Sequence, residues 1–333
     1  MSIKALESYL EPLKPCLQTE GVTEVCINQP GVVFVEEKGC FKQYTAEILE
    51  FGFLETLAHL IAEFNHKQFP HPLISGYLPT GERVQCVMPP ACEKNKIIFS
   101  IRCHSRRDMS LEDYQAAGVF DSSNSTNDNS YEQTSDLLKD LYEQTLKDKK
   151  NILKFLQLAI KAKKNILISG GTGTGKTTFL NACLQLVPDT ERLITVEDTR
   201  EVKVKQPNTV HLLFNQDDKE ITAEKLFKAC LRLRPDRILL SELRGSEVWS
   251  FLRAANSGHP GSISTVHSDT PQGCFDQLIF MMQQAGNTSS EEKLRTYIQS
   301  IIPIVIQLKR SANKTRFVEI AEVYFDSRLR CGC

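Results

Sequence analysis

The chain has 333 residues, 41% of them hydrophobic, with 40 Lys and Arg against 41 Asp and Glu. That length predicts about two domains with real cores, and a net charge of -1 excludes an overall basic field that would gather nucleic acid. The eleven cysteines are odd in number and never spaced C-x-x-C. This predicts reduced core thiols in a cytosolic protein and no structural metal. Cys331 and Cys333 flank one glycine, too close for a zinc site alone.

Lys4, Glu7 and Glu11 lie among apolar residues at the start, the pattern of an amphipathic helix and not of a signal peptide. Residues 1–108 read as a small α/β domain. Apolar runs at 25–27 and 32–35 flank Asn28, Gln29, Pro30 and Gly31, so a hairpin is expected. Leu54, Leu57, Ala58 and Ile61 keep helical spacing on one face. Residues 74–78, 83–88 and 96–102 read as strands. Arg83, Arg102, Arg106 and Arg107 are its notable charges, and a solvated sheet edge is the plain account of them. Residues 109–150 read as a connector. It holds a capped helix start at 110–114 and a polar run at 122–130 with too little apolar area to offset ordering, hence a mobile loop.

Residues 151–333 alternate strand and helix, the pattern of a parallel sheet covered on both faces. Strands are expected at 166–169, 192–197, 210–214, 237–240 and 262–266. Helices are marked by Leu226, Ala229, Cys230 and Leu233, by Val248, Phe251, Leu252 and Ala255, and by Phe275, Leu278, Ile279 and Met282. Gly286 is a helix stop. Residues 304–308 and 316–325 read as a terminal hairpin. The apolar run 304–306, among the longest, is far below membrane-span length, so a soluble protein is expected, one able to dock on a membrane complex.

The first strand of this half runs into Gly170, Gly171, Thr172, Gly173, Thr174, Gly175, Lys176 and Thr177, which satisfies G-x-x-x-x-G-K-[ST], the phosphate-binding loop. Glycines let successive amides curl into a nest for anionic oxygens. The helix that begins near Lys176 and runs on through Thr178 aims its free N–H groups at the same place. Lys176 adds a charge for the β- and γ-phosphates of ATP, and Thr177 a hydroxyl for Mg²⁺. The competing account is a bare glycine-rich turn between strand and helix.

In open parallel sheets ligands sit at the carboxyl ends of strands. Besides the phosphate loop, three strands here end in reactive groups: Glu197 with Asp198, Glu242, and His267. Glu242 follows an apolar strand, suited to holding Mg²⁺ through water or orienting the attacking water. For Glu197 and Asp198 the alternative is a helix N-cap or a loop pair, and for Glu242 a surface acid at a strand end. His267 in neutral form can donate to a γ-phosphate oxygen or hold a water, while a lone strand-end histidine is more often structural. His259 lies eight residues earlier, and no cysteine or carboxylate joins the two at zinc-ligand spacing.

These motifs resemble the secretion ATPase superfamily, the type II and type IV secretion and pilus motor ATPases, and among them the VirB-type ATPases of type IV secretion systems. The family carries a Walker A loop (170–177 here) and an "Asp box" I-T-x-E-D-T (194–199). It also has a Walker B segment R-P-D-x-I-x-x-G-E-x-R (234–244) and a "His box" G-H-x-G-x-x-x-T-x-H (258–267). Ser241 stands where the family usually has glycine. In the N-terminal half, Gly81, Glu82, Arg83 and Val84, and Ser100, Ile101 and Arg102, match the family more weakly. Residues 111–114 with Gly118 resemble its interdomain segment.

The resemblance implies an α/β protein, a RecA-like P-loop C-terminal domain behind a smaller α/β N-terminal domain. It implies a homo-hexamer, cytoplasmic or peripheral at the inner membrane. MgATP hydrolysis would drive substrate translocation or pilus or secretion-machine assembly with inner-membrane components and protein or DNA cargo. Lys176, Thr177, Glu242 and His267 then take the roles given above, with Glu197 as the rival base. Arg83, Arg102 and Arg244 neutralise developing charge. The alternatives are a RecA-like nucleic-acid motor and a nucleotide-gated scaffold with little turnover.

Overall fold

The structure, a computed structural model, describes residues 3–103, 115, 129–215, 218, 220–310 and 318–326. The expectations for Arg106, Arg107, 110–114, Gly118, 122–128, the turn at 311–314, Cys331 and Cys333 lie outside these. Asn129 and Ser130, the end of the polar run, open a helix.

The N-terminal half builds a six-stranded antiparallel sheet in the order β3-β2-β1-β6-β5-β4. Its strands are β1 (Val22–Gln29), β2 (Val32–Glu37), β3 (Cys40–Thr45), β4 (Leu73–Tyr77), β5 (Arg83–Val87) and β6 (Ile98–Arg102). The expected hairpin is β1–β2, with Gly31 at φ +78° in its turn. Helices α1 (Ile3–Leu10), α2 (Lys14–Gln18) and α3 (Phe51–Phe64) bury Leu6, Leu10, Leu17, Leu54, Leu57 and Ile61 against the sheet. The sequence reading missed β3. It is an edge strand whose residues are almost all exposed, so it carries no alternation of apolar and polar positions to betray it.

The second sheet has seven strands in the order β13-β12-β7-β11-β10-β8-β9: β7 (Ile166–Gly170), β8 (Leu193–Glu197), β9 (Thr209–Leu213), β10 (Arg237–Leu243), β11 (Ile263–Val266), β12 (Ile304–Arg310) and β13 (Val318–Phe325). All pair in parallel except β13, which returns antiparallel on β12. The strand period of two distributes side chains between two cores. Leu167, Ile194, Val196, Ile238, Leu240 and Val305 face one, and Ile166, Ile168, Leu193, Leu239, Ile304 and Ile306 face the other. On the first face lie α7 (Ala223–Cys230), α8 (Glu247–Ala255), α9 (Pro271–Gln284) and α10 (Glu291–Ile301). On the second lie α4 (Asn129–Lys147), α5 (Ile152–Lys161) and α6 (Lys176–Leu184). This is the doubly covered parallel sheet expected of a RecA-like domain. Helices α4, α5 and α10 had not been singled out. No helix among the described residues is long and apolar enough to cross a membrane.

The two sheets are fastened together. Cys92 bridges to Leu212, and the Leu213 amide donates to Ala91 O at 2.9 Å. Arg192, wholly buried just before β8, donates Nη1 to Asn28 Oδ1 at 2.8 Å and Nε to Leu233 O at 2.8 Å. Arg234 forks onto Glu36 at 2.6 and 3.2 Å.

Candidate active site

β7 ends in buried Gly170 and α6 begins at Lys176. A Cβ at Gly170 would meet Thr174 Oγ1 at 2.5 Å and Leu308 O at 2.9 Å, so a larger residue would push the loop off its strand. Gly173 lies at φ +68° with the Arg310 guanidinium against it, and Arg310 Nε donates to Gly173 O at 3.3 Å. Thr174 is buried and donates to Gly171 O at 2.9 Å. Thr172 and Thr178 are exposed.

Lys176 is buried beneath this loop and donates Nζ to Gly170 O (2.9 Å) and Gly171 O (3.3 Å). Burial pushes its ammonium below the usual lysine range, with the Glu242 carboxylate pulling the other way and Arg244 adding to the lowering. The same Nζ lies 3.3 and 3.4 Å from the two ring nitrogens of His267, which follows β11.

His267 Nε2 is 2.6 Å from Glu242 Oε1. That oxygen is shielded from solvent and accepts no aligned hydrogen bond. Pairing of β10 with β11 loses register between Leu240 and Leu243, an irregularity of the kind that re-aims a side chain, and it falls where Ser241 and Glu242 stand. Arg244 donates Nε to Glu242 Oε2 at 2.6 Å and Nη1 to Asp198 Oδ2 at 2.8 Å. Burial opposes its charge, but Glu242 and Asp198 outweigh burial and hold it above its ordinary value. Lys176, His267, Glu242, Arg244 and Asp198 thus form one chain of contacts along the strand ends.

Glu197 stands apart from that chain. It is wholly buried. Oε1 accepts from Thr195 Oγ1 at 2.6 Å, and Oε2 from the amides of Glu201 (2.8 Å) and Val202 (2.7 Å). Burial raises its pKa, and the bonds from His211, Thr195 and the two amides more than reverse this, leaving it below the usual carboxylate range. Arg200 Nη2 lies 2.7 Å from His211 Nε2. A guanidinium only donates, so Nε2 accepts and Nδ1 carries the proton, toward Thr195 Oγ1 at 2.7 Å. With its oxygens engaged this way, Glu197 holds the turn that follows β8.

The two histidines of the His box are separated. His259 Nδ1 donates to Pro235 O at 2.9 Å, at the opposite end of β10 and β11 from His267, and burial lowers its pKa. Arg83 and Arg102 face each other on β5 and β6 and are not brought to the phosphate loop. They line a separate cavity of about 1000 Å³ with Lys225, Lys228, Arg232 and Arg234, across from α7.

An oxygen donor set suits a hard divalent cation. Thr177 Oγ1 and the Glu242 carboxylate, whose Oε1 faces His267 Nε2, offer such oxygens, and residues so few fit a cation that keeps waters and phosphate oxygens as its other ligands. Glu201 and Arg310 also touch the loop or its hydroxyl and were not singled out from sequence. Glu201 does carry a signal, since it is an acid four residues past Glu197, in the turn after β8.

A family model, the type II/IV secretion system protein, matches residues 130–332. The type IV secretion system protein VirB11 of Bartonella quintana (strain Toulouse) is 36% identical over 329 residues, 95% of this chain and 92% of that protein. The type IV secretion system protein PtlH of Bordetella pertussis is 33% identical over 96% of this chain and 95% of its own length. The crystal structure of the VirB11 ATPase from the Brucella suis type IV secretion system in complex with sulphate superposes with a TM-score of 0.89. The sequence identity there is 34%, over 98% of this chain and 96% of that one. The chain belongs to the type II/IV secretion system protein family, as a secretion ATPase of the VirB11 type.

Proposed function

We propose that this chain hydrolyses MgATP as a homo-hexamer in the cytoplasm, working with the inner-membrane part of a type IV secretion system to move a substrate or assemble the machine. The observation that carries the catalytic reading is His267 in contact with both Lys176 and Glu242. It links the cation suited to phosphate with the acid suited to water. The loop amides from Gly170 to Thr178 and Lys176 would hold the phosphates, and Thr177 and Glu242 would hold Mg²⁺, which when bound would supply charge neutralisation for phosphoryl transfer. Glu242 orients the water. Glu197, buried and saturated, serves as a scaffold for the turn after β8, which favours Glu242 over it as the base. Arg244 steadies Glu242, and His267 reads the γ-phosphate.

Arg83 and Arg102 join the reaction across a subunit border. Their cavity has seven Lys and Arg in its lining, Lys67 with the six named above, and none of the phosphate-loop residues, so a ring neighbour's nucleotide is the anion it would meet. The domain reading places the N-terminal domain at 1–108, a connector at 109–150 and the ATPase domain at 151–333. Steady-state ATPase assays of Glu242→Gln and Glu197→Gln, with light scattering for assembly state, test this. The reading expects Glu242→Gln to abolish turnover in an intact ring and Glu197→Gln to retain part of it. A Glu242→Gln ring with near-normal turnover would overturn the assignment.

A further inference from the structure

The turn after β8 is gripped from two sides. Glu197 Oε2 takes the amides of Glu201 and Val202 from below. From α6, Asn181 donates Nδ2 to Glu201 O at 3.3 Å and accepts from the Lys203 amide at 2.8 Å. The Val202 side chain between these grips is wholly buried. Two elements thus fix three successive residues, and the first of them, Glu201, keeps its own side chain exposed. Its carboxylate Oε2 accepts from Thr177 Oγ1 at 3.2 Å.

A threonine hydroxyl has one proton and two lone pairs. To give a lone pair to a cation it must direct its proton elsewhere, toward an acceptor that does not itself move. Glu201 is built as that acceptor. A carboxylate beside the hydroxyl also adds negative charge where a divalent cation would arrive, and it can accept from the cation's bound water. The grip on the backbone also seats Val202 in the core, and it fixes where the exposed Glu201 carboxylate stands relative to Thr177.

We propose that Glu201 is a positioning residue for divalent-cation binding at Thr177, with Asn181 and the buried Glu197 as the clamp that aims it. This rests on the reading of the phosphate loop as a MgATP site. It divides the labour between two acids of this region: Glu197, the last residue of β8, holds the turn, and Glu201 faces the cation site at Thr177.

The test uses the full chain and a non-hydrolysable ATP analogue, titrated with Mg²⁺ and, separately, bound in excess EDTA. In Glu201→Gln the Mg²⁺ concentration for half-maximal effect should rise about tenfold, the lower end of the range for loss of an outer partner of a metal ligand. Affinity in EDTA should be unchanged or stronger, since a negative charge has been removed near the phosphates. The melting temperature without nucleotide should hold, because the backbone grips do not involve this side chain. Asn181→Ala should shift the Mg²⁺ requirement the same way, and the double variant should be no worse than Glu201→Gln. A Mg²⁺ requirement unchanged in Glu201→Gln would overturn the inference alone. So would an equal loss of affinity with and without the metal, which marks a purely structural residue. A wild-type chain that bound no nucleotide would overturn the underlying reading and this inference with it.

Discussion

His267 and Lys176 meet edge to edge, with both ring nitrogens within 3.4 Å of the lysine ammonium. An ammonium cannot accept a hydrogen bond, so the imidazole offers it a lone pair. The ring's one proton faces Glu242 Oε1 from Nε2 at 2.6 Å, and a γ-phosphate arriving at Lys176 would compete with that carboxylate for the proton and with the ring for the ammonium. His267→Ala should therefore leave ADP affinity nearly unchanged while cutting turnover. Discrimination between ATP and ADP should weaken by on the order of 1–3 kcal/mol, the scale of one hydrogen bond to a charged partner. Melting temperatures with no nucleotide, with ADP and with an ATP analogue separate this from packing. Equal stabilisation by both nucleotides, in wild type and variant alike, would leave His267 a packing residue.

Lys176→Ala removes a charge that the fold spends two loop carbonyls to hold in place. Turnover should fall by at least about a hundredfold, the usual cost of losing one preorganised electrostatic stabiliser. Circular dichroism should show the fold retained. A folded variant with near-normal hydrolysis would remove the lysine from the mechanism.

Glu197 gives a pH signature. Its pKa lies below the ordinary 4.5 in the folded chain, so the unfolded chain binds its proton more readily. The carboxylate then contributes stability fully present above about pH 4.5, and lost as the pH drops through the lower folded value. Glu197→Gln should lower the melting temperature at pH 7 and flatten its decline below pH 4.5. Parallel melting curves for variant and wild type across that acid range would contradict the hydrogen-bonded carboxylate seen here.

Arg102 should work in trans. Arg102→Ala alone and Lys176→Ala alone should each be nearly inactive. Mixed before assembly, they should regain part of the wild-type rate, because some sites combine an intact loop with a neighbour's intact arginine. A mixture no more active than its components would place Arg102 at its own chain's nucleotide or outside the site altogether.

Most strands and the phosphate loop were legible in the sequence, because buried parallel strands leave apolar runs and the loop needs glycines in a fixed pattern. Edge strand β3 left no such trace, since its residues face water. Helix α10 was passed over because its buried residues, Leu294, Ile298 and Ile301, are sparse among charges. Within the site, sequence could rank Glu197 and Glu242 only by motif. Their difference is one of environment: amides from four and five residues downstream saturate one, while the other meets only side chains, His267 and Arg244, at a strand irregularity. The two His-box histidines look equivalent in a row of letters, yet they sit at opposite ends of a four-residue strand. The resemblance implies that Arg83 and Arg102 neutralise charge at the nucleotide, and the sequence holds no sign of the cavity, apart from the loop residues, that they line in the folded chain.

The buried Arg192 has a consequence for how such a chain can be taken apart. Its guanidinium is held from both halves, by Asn28 on the first sheet and by Leu233 O in the second half, and Val87, Ala91, Cys92 and Ile98 complete the second sheet's own core. A fragment holding only the C-terminal half would bare that apolar face and strip Arg192 of Asn28. Loss of hydrolysis by such a fragment would then record a wounded sheet, not a missing arginine. The halves behave as one cooperative body at this seam, so the contributions of the first half are separable by point substitution and mixing, and not by scissors.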